Sequence, residues 1–164
     1  MSINKYISFY DRLIGYWPLN GNTINKVSEH GQGTQTEMTY TTGKIDKCAV
    51  FNGSTSKIDQ IGNVYDYSFI QNTGIFTINL WVKFTNYTTI PQYIMGNTPT
   101  STEFGFYLGT EVVGRLEFAW TRGGGNYTSD AVVGIITDNN WFMLTIVGNG
   151  TRTNYYKNGQ FFYA

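Results

Sequence analysis

Charge is scarce in this chain: aspartate, glutamate, lysine and arginine make up 13% of 164 residues, and eleven basic residues balance eleven acidic ones. A surface this neutral does not gather on phosphate backbones or anionic lipid, so neither nucleic acid nor a membrane surface is expected as a partner. Cysteine occurs once, at Cys48, which excludes an internal disulfide; its neighbours Ala49, Val50 and Phe51 suit a strand carrying a buried, inert thiol. Histidine also occurs once, His30 in Ser28-Glu-His-Gly-Gln-Gly33, and a lone imidazole makes neither a zinc site nor a catalytic triad. No run approaches the ~18 consecutive apolar residues of a spanning helix. The opening Met1-Ser-Ile-Asn-Lys-Tyr6 lacks the basic and apolar segments of a secretory signal, so the expectation is a protein made in the cytosol without one, or a piece of a longer chain. Helical periodicity is missing as well, apart from a short turn expected within Val64 to Phe69.

What is abundant is aromatic and β-branched. Aromatic residues reach 17%, far too much apolar surface for a solvated tail. In Ile75-Phe-Thr-Ile-Asn-Leu-Trp-Val-Lys-Phe84 the alternation sends Phe76, Ile78, Leu80, Val82 and Phe84 to one face. Trp141 to Val147 follows the turn-forming Asp138-Asn139-Asn140, and Arg152 to Lys157 leads through Asn158-Gly159 into Gln160 to Tyr163, a hairpin whose turn residues both need positive φ. Shorter strands are expected at Leu13–Leu19, Gln35–Tyr40, Lys47–Phe51, Lys57–Gln60, Gln92–Met95, Phe104–Leu108, Arg115–Trp120 and Ala131–Ile136, nearly all separated by Gly, Asn, Asp or Pro. Short strands with turn chemistry in the gaps describe an all-β, two-sheet antiparallel sandwich. No linker or fixed-period repeat interrupts residues 1–164, which read as one domain.

Four blocks in this order carry a family resemblance. Leu13-Ile-Gly-Tyr-Trp-Pro-Leu-Asn-Gly-Asn22, Ala49-Val-Phe-Asn-Gly-Ser-Thr-Ser-Lys-Ile58, Phe76-Thr-Ile-Asn-Leu-Trp-Val-Lys83, and Asn140-Trp-Phe-Met-Leu-Thr-Ile146 with Tyr155-Tyr-Lys-Asn-Gly159 together resemble laminin-G-like, concanavalin A-like jelly-roll domains. The resemblance implies a jelly-roll sandwich and a non-catalytic recognition or assembly role. It also implies a calcium site near the turn that holds Asn52, with Asp59 the second candidate ligand; calcium takes six to eight oxygens, and no spaced run of carboxylates accompanies these two. Members of the family carry further strands beyond the Asn-Gly hairpin, the last of them beside the first strand. The strand Leu13–Leu19 is therefore expected either to be completed by a partner or symmetry mate, or to be closed by a shorter local variant of the fold.

Catalysis is not expected. A glycoside hydrolase needs two carboxylates facing one bond, whereas Glu37 and Glu103 stand alone, and Glu111 and Glu117 would lie roughly 20 Å apart on one strand. Gly123-Gly-Gly125 lacks the lysine of a phosphate loop. Sugar recognition asks for aromatic faces beside amides and hydroxyls. Trp120, Arg122, Asn126 and Tyr127, around the glycine-rich segment, form the candidate ligand site, with Tyr87, Tyr93 and Tyr107 as further candidates. Trp17, Trp81 and Trp141 sit within strands and are expected in the core; Trp120 ends a strand and is open to either role. Two functions fit. The first is an exposed virion component, a phage fibre, tail or head appendage, whose partners are glycans or other virion chains in a homo-oligomer or a partner-completed sheet. The alternative is a lectin-like module of a bacterial surface or multidomain carbohydrate-active protein, extracellular as part of a longer chain.

Overall fold

The computed structural model describes residues 13–27, 32–59, 64–86, 91–97, 105–111, 114–122 and 126–163. His30, Tyr87, Glu103 and Gly123–Gly125 lie outside them. The chain forms two compact units, Met1–Asn63 and Val64–Ala164. Alternation identifies strands but not their partners, and it is the pairing that closes each unit on itself.

In the first unit, β1 (Thr34–Thr36) pairs antiparallel with β4 (Lys57–Asp59), and β2 (Thr39–Thr42) pairs antiparallel with β3 (Lys47–Val50). The expected strand Leu13–Leu19 is absent. Tyr16 instead receives its backbone bonds from a loop: its N–H donates to Asn25 Oδ1 at 3.0 Å, and its carbonyl accepts from the Lys26 N–H at 2.9 Å. Local chemistry explains the miss. Pro18 has no N–H to give a ladder, Leu19 takes a left-handed φ of 53°, and the Trp17 ring folds back so closely that a Cβ on Gly15 would lie 2.1 Å from it.

The second unit is a two-sheet antiparallel sandwich. Its first sheet runs β12 (Gln160–Tyr163), β11 (Thr153–Lys157), β10 (Phe142–Asn149), β5 (Ile75–Val82); its second runs β6 (Gln92–Gly96), β7 (Gly105–Thr110), β8 (Leu116–Arg122), β9 (Asn126–Val132). A 3-10 turn, Val64–Tyr67, leads into the short helix α1 (Ser68–Thr73) where a single helical turn was expected. Gly74 ends that helix in the left-handed conformation, φ 64°, its N–H donating to the Ile70 carbonyl at 3.0 Å.

Period-two alternation builds the core as anticipated. Phe76 and Phe84 are buried, with Ile78, Leu80 and Val82 packed beside them. In register on β10 stand Phe142, Leu144 and Ile146, all buried. The facing sheet supplies Phe106, Leu108, Leu116 and Phe118, and the Phe76 and Phe118 rings meet at 5.1 Å across the sandwich. Asn158 and Gly159 turn the last hairpin with φ 53° and 79°, both left-handed as that turn requires. One strand is displaced: β9 spans Asn126–Val132 rather than Ala131–Ile136, because Gly134 turns the chain at φ 80°. Ile135 and Ile136 still reach the core from the turn, which is why they read as strand.

Candidate functional site

The expected ligand cluster occupies the β8–β9 hairpin, where Arg122 pairs with Asn126, Thr121 with Tyr127 and Trp120 with Thr128. Trp120 is not a stacking platform. It is 7% exposed, belongs to the core cluster, and its ring meets Phe118 at 5.5 Å. It shares the inward period of Leu116 and Phe118, so the strand carries it into the sandwich although it stands near the strand's end. Tyr93 and Tyr107, the further candidates, do come together, their rings edge-to-face at 5.9 Å; Tyr93 is 78% exposed on the edge strand β6.

The residues around the expected metal site do not fit a calcium ion. Asn52 Oδ1 already accepts the backbone N–H groups of Ser54, Thr55 and Ser56 at 2.9, 2.9 and 3.0 Å. A carboxamide oxygen surrounded by three donors has no lone pair aimed at a cation. Its Nδ2 donates to the Thr55 hydroxyl, which in turn donates to the Glu37 carboxylate, so the turn is a self-satisfied hydrogen-bond knot. Asp59 is paired with Lys57 at 2.8 Å. Among the described residues no group of three or more His, Cys, Asp or Glu is placed to hold a metal.

Glu111 and Glu117 are closer than the sequence suggests, because they stand on opposite arms of the β7–β8 hairpin rather than on one strand. Gly109 faces Glu117, and the Glu111 N–H donates to the Arg115 carbonyl at 3.2 Å. Diagonal neighbours of this kind are about 7–8 Å apart at Cα. Glu117, however, is only 8% exposed, and the Glu111 carboxylate is engaged by the Arg115 guanidinium at 2.6 Å. This pair does not offer two carboxyls to a substrate in an open cleft.

The two sheets differ in what they leave open. Along β8 every residue from Leu116 to Trp120 is buried, on both faces. Along β10 burial alternates strictly, so Phe142, Leu144 and Ile146 are buried while Met143, Thr145 and Val147 are not. The outer face of the first sheet is therefore accessible, and it carries aromatics. Trp81, opposite Met143, is 39% exposed instead of buried. The sequence had it on the opposite period from Phe76 and Leu80, which was the signal for an outward ring. Tyr156 pairs with Thr145 on one side and Phe161 on the other, and its ring meets the 60%-exposed Phe161 edge-to-face at 5.8 Å. Between the aromatics lie Asn79 and Thr145, whose hydroxyl donates to Asn79 Oδ1 at 3.0 Å. The Asn79 amide N–H groups have no partner among the described residues, and Thr145 keeps acceptor lone pairs. On this face, rings flank an amide and a hydroxyl.

Titration sets limits on the chemistry. Asn140 donates its N–H to Asp138 Oδ1 at 2.9 Å and holds that carboxyl below its usual pKa. Burial pushes the Tyr155 hydroxyl well above the ordinary tyrosine range, with Asp130 adding to the effect. Burial raises Tyr67 also, with Asp66 contributing. None of these shifts brings a group near neutrality, where a general acid or base works.

Comparison with known proteins accords with this architecture. Residues 60–162 match the family described as the concanavalin A-like lectin/glucanases superfamily. A search of curated protein sequences finds no match. Among solved structures, the chain resembles an S-layer domain-containing protein from Clostridium thermocellum (residues 221–444), with TM-score 0.53 and 17% identity over 90% of this chain and 69% of that one. It resembles the receptor binding domain of botulinum neurotoxin C/D mosaic serotype with TM-score 0.56 and 15% identity over 85% of this chain. The HCR/D F1240A mutant gives TM-score 0.56 and 15% identity over 88% of this chain. The chain spans 35% and 38% of the length of those last two. At such identities the likeness is one of fold. With a family match over more than half its length and the sandwich that family calls for, the chain belongs to the concanavalin A-like lectin/glucanase superfamily.

Proposed function

We propose that this chain is a non-catalytic recognition module that binds glycan through the outer face of the β5-β10-β11-β12 sheet. The observation that carries the reading is the exposure there of Trp81 and Phe161 beside Tyr156, with Asn79 and Thr145 between them. Aromatic faces cover the C–H patches of a sugar ring, while amide and hydroxyl groups read its oxygens. The burial of Glu117 and the engagement of Glu111 by Arg115 support binding without hydrolysis at that pair. The neighbours named as receptor-binding and S-layer domains lend support at the level of fold. A glycan array probed with the intact chain tests it: saturable binding lost in Trp81→Ala supports the reading, and no binding to any glycan overturns it.

For the setting in which the module works, we favour an exposed virion component such as a fibre, tail or head appendage. The low charge and the Asn-, Thr-, Tyr- and Gly-rich composition suit an assembled particle. So does β12, which ends its ladder with Phe161, Phe162 and Tyr163 all exposed. Natural edge strands are usually guarded by charge or proline, and Gln160–Tyr163 has neither, which suits strand addition by another chain. Sedimentation of the chain and of Phe162→Lys measures this: an oligomer that the substitution dissociates supports assembly through β12, and a monomer at all concentrations removes it.

A further inference from the structure

We infer that Met143 is a redox modification site that governs the Trp81 ring: oxidation of its thioether to the sulfoxide turns that ring away from its resting place on the sheet, and reduction returns it. The effect on the ring follows from strand geometry, while its consequence for ligand rests on the glycan-binding reading above. Met143 and Trp81 stand directly opposite each other on β10 and β5. Both backbone groups of Met143 are committed to the other side. Its N–H donates to Asn158 Oδ1 at 2.9 Å, and its carbonyl accepts the Asn158 N–H at 2.8 Å. The Met143–Trp81 pair is therefore of the non-hydrogen-bonded kind, in which antiparallel strands approach to about 4.5 Å at Cα and side chains lie closest. Both side chains are outward and neither is buried. A polarizable thioether beside an indole makes a favourable contact, which holds the ring.

The chemistry that breaks this contact is an oxygen transfer from a peroxide. A sulfur lone pair attacks one peroxide oxygen, the O–O bond breaks, water leaves, and sulfur has given up an electron pair to become the sulfoxide. A methionine sulfoxide reductase with a dithiol reverses the step: the oxygen leaves as water and the dithiol closes to a disulfide. The sulfoxide is polar and needs a hydrogen-bond donor or water where the thioether needed neither. Lys83 supplies that donor. It is exposed, shares the outward parity of Trp81, and stands diagonally from Met143, at about 7–8 Å between backbones. A sulfoxide oxygen turned towards Lys83 takes the side chain off the indole. The other described methionines lack this setting. Met95 packs against the core cluster, and Met38 lies between β1 and β2 in the first unit.

The test labels the intact chain with fluorotryptophan and assigns the Trp81 fluorine resonance as the one lost in Trp81→Phe. Hydrogen peroxide is then added, and peptide mapping follows sulfoxide at each methionine. Conversion of Met143 should shift the Trp81 resonance in proportion, leave those of Trp17 and Trp120 in place, and be undone by a sulfoxide reductase. In Met143→Leu, which keeps the volume but offers no sulfur, peroxide should leave the Trp81 resonance where it is. On a glycan array, oxidation should weaken the binding of the unmutated chain about tenfold and leave that of Met143→Leu unchanged. Met143 still reduced while Met38 or Met95 is oxidised, a Trp81 resonance unmoved at full conversion, or the same shift in Met143→Leu overturns the inference. So does loss of cooperative unfolding on oxidation, because the whole chain has then moved. A ring that responds with binding undiminished overturns the control of ligand. A ring that responds in a chain that binds nothing on the array before oxidation overturns the glycan reading and leaves the modification site standing.

Discussion

Replacing Tyr155 by phenylalanine should leave the protein at least as stable as it is, an unusual expectation for a fully buried aromatic. Tyr155 is 0% exposed on β11, directly opposite Ile146, and its hydroxyl is buried without a hydrogen-bond partner among the described residues. An unpaired buried hydroxyl costs about 1–3 kcal/mol. Phenylalanine removes the oxygen and keeps the ring, so the gain offsets a small void and the net effect should be zero to about +1 kcal/mol. Urea unfolding would show a higher midpoint at constant slope. The pH dependence is the sharper readout. Burial first, then the charge of Asp130, lifts the hydroxyl's pKa well above its ordinary 10.0 in the folded protein. The unfolded chain ionises near pH 10 while the folded chain keeps the proton. Stability is therefore complete below pH 10 and falls as pH rises beyond it, by up to about 1.4 kcal/mol per unit from this group. Tyr67 and Tyr40 are raised as well and add to the wild-type slope; Tyr155→Phe should remove one proton's share. A variant destabilised by more than about 1 kcal/mol would show that the hydroxyl is bonded in the folded state, and an unchanged alkaline slope would show that it ionises alike in the folded and unfolded chain; either refutes the reasoning.

The tryptophans should separate: Trp120→Ala should cost about 3–5 kcal/mol in denaturant melts, as a core deletion, and Trp81→Ala under about 1 kcal/mol with binding lost. Gly148→Ala should cost about 1–3 kcal/mol, because an added methyl would lie 2.4 Å from the Gly74 carbonyl oxygen and 2.4 Å from the Phe76 ring; thermal unfolding measures it. Asn52→Ala should expose the amides of Ser54, Thr55 and Ser56 to faster hydrogen exchange, with a local loss of about 1–2 kcal/mol. Millimolar calcium should leave the melting temperature unchanged, since a ligand binding only the folded state would raise it; a clear rise would contradict the reading of Asn52 as a committed acceptor.

Much of the second unit was legible because its strands obey one local rule. From Phe76 to Phe84 every second residue turns inward, and the Asn158-Gly159 turn follows from backbone sterics alone. Two things escaped that rule. Leu13–Leu19 has strand-like composition, but Pro18, the left-handed Leu19 and the Asn25 side chain claim its backbone, which depends on a contact nine residues away. The candidate calcium ligand Asn52 was correctly placed in a turn, yet its oxygen is consumed by that turn's own N–H groups. An asparagine before Gly-Ser-Thr-Ser reads equally well as a ligand or as a cap until the donors are counted.

The tryptophans show how composition and parity compete in reading a strand. Trp120 was drawn to the surface by its neighbours, an arginine, three glycines and an asparagine, and Trp81 to the core by the strongest strand in the chain. In each case composition was weighed above parity. Parity alone puts Trp81 opposite to Phe76 and Trp120 together with Phe118, and the structure follows parity in both. Parity cannot say whether an outward face is left open, however. On β8 the outward Glu117 and Ala119 are as buried as the inward residues, while on β10 the outward Met143 and Thr145 are not. That contrast between two central strands of similar alternation is the reason we propose the first sheet as the recognition surface, and it rests on burial around the strands rather than on any residue within them.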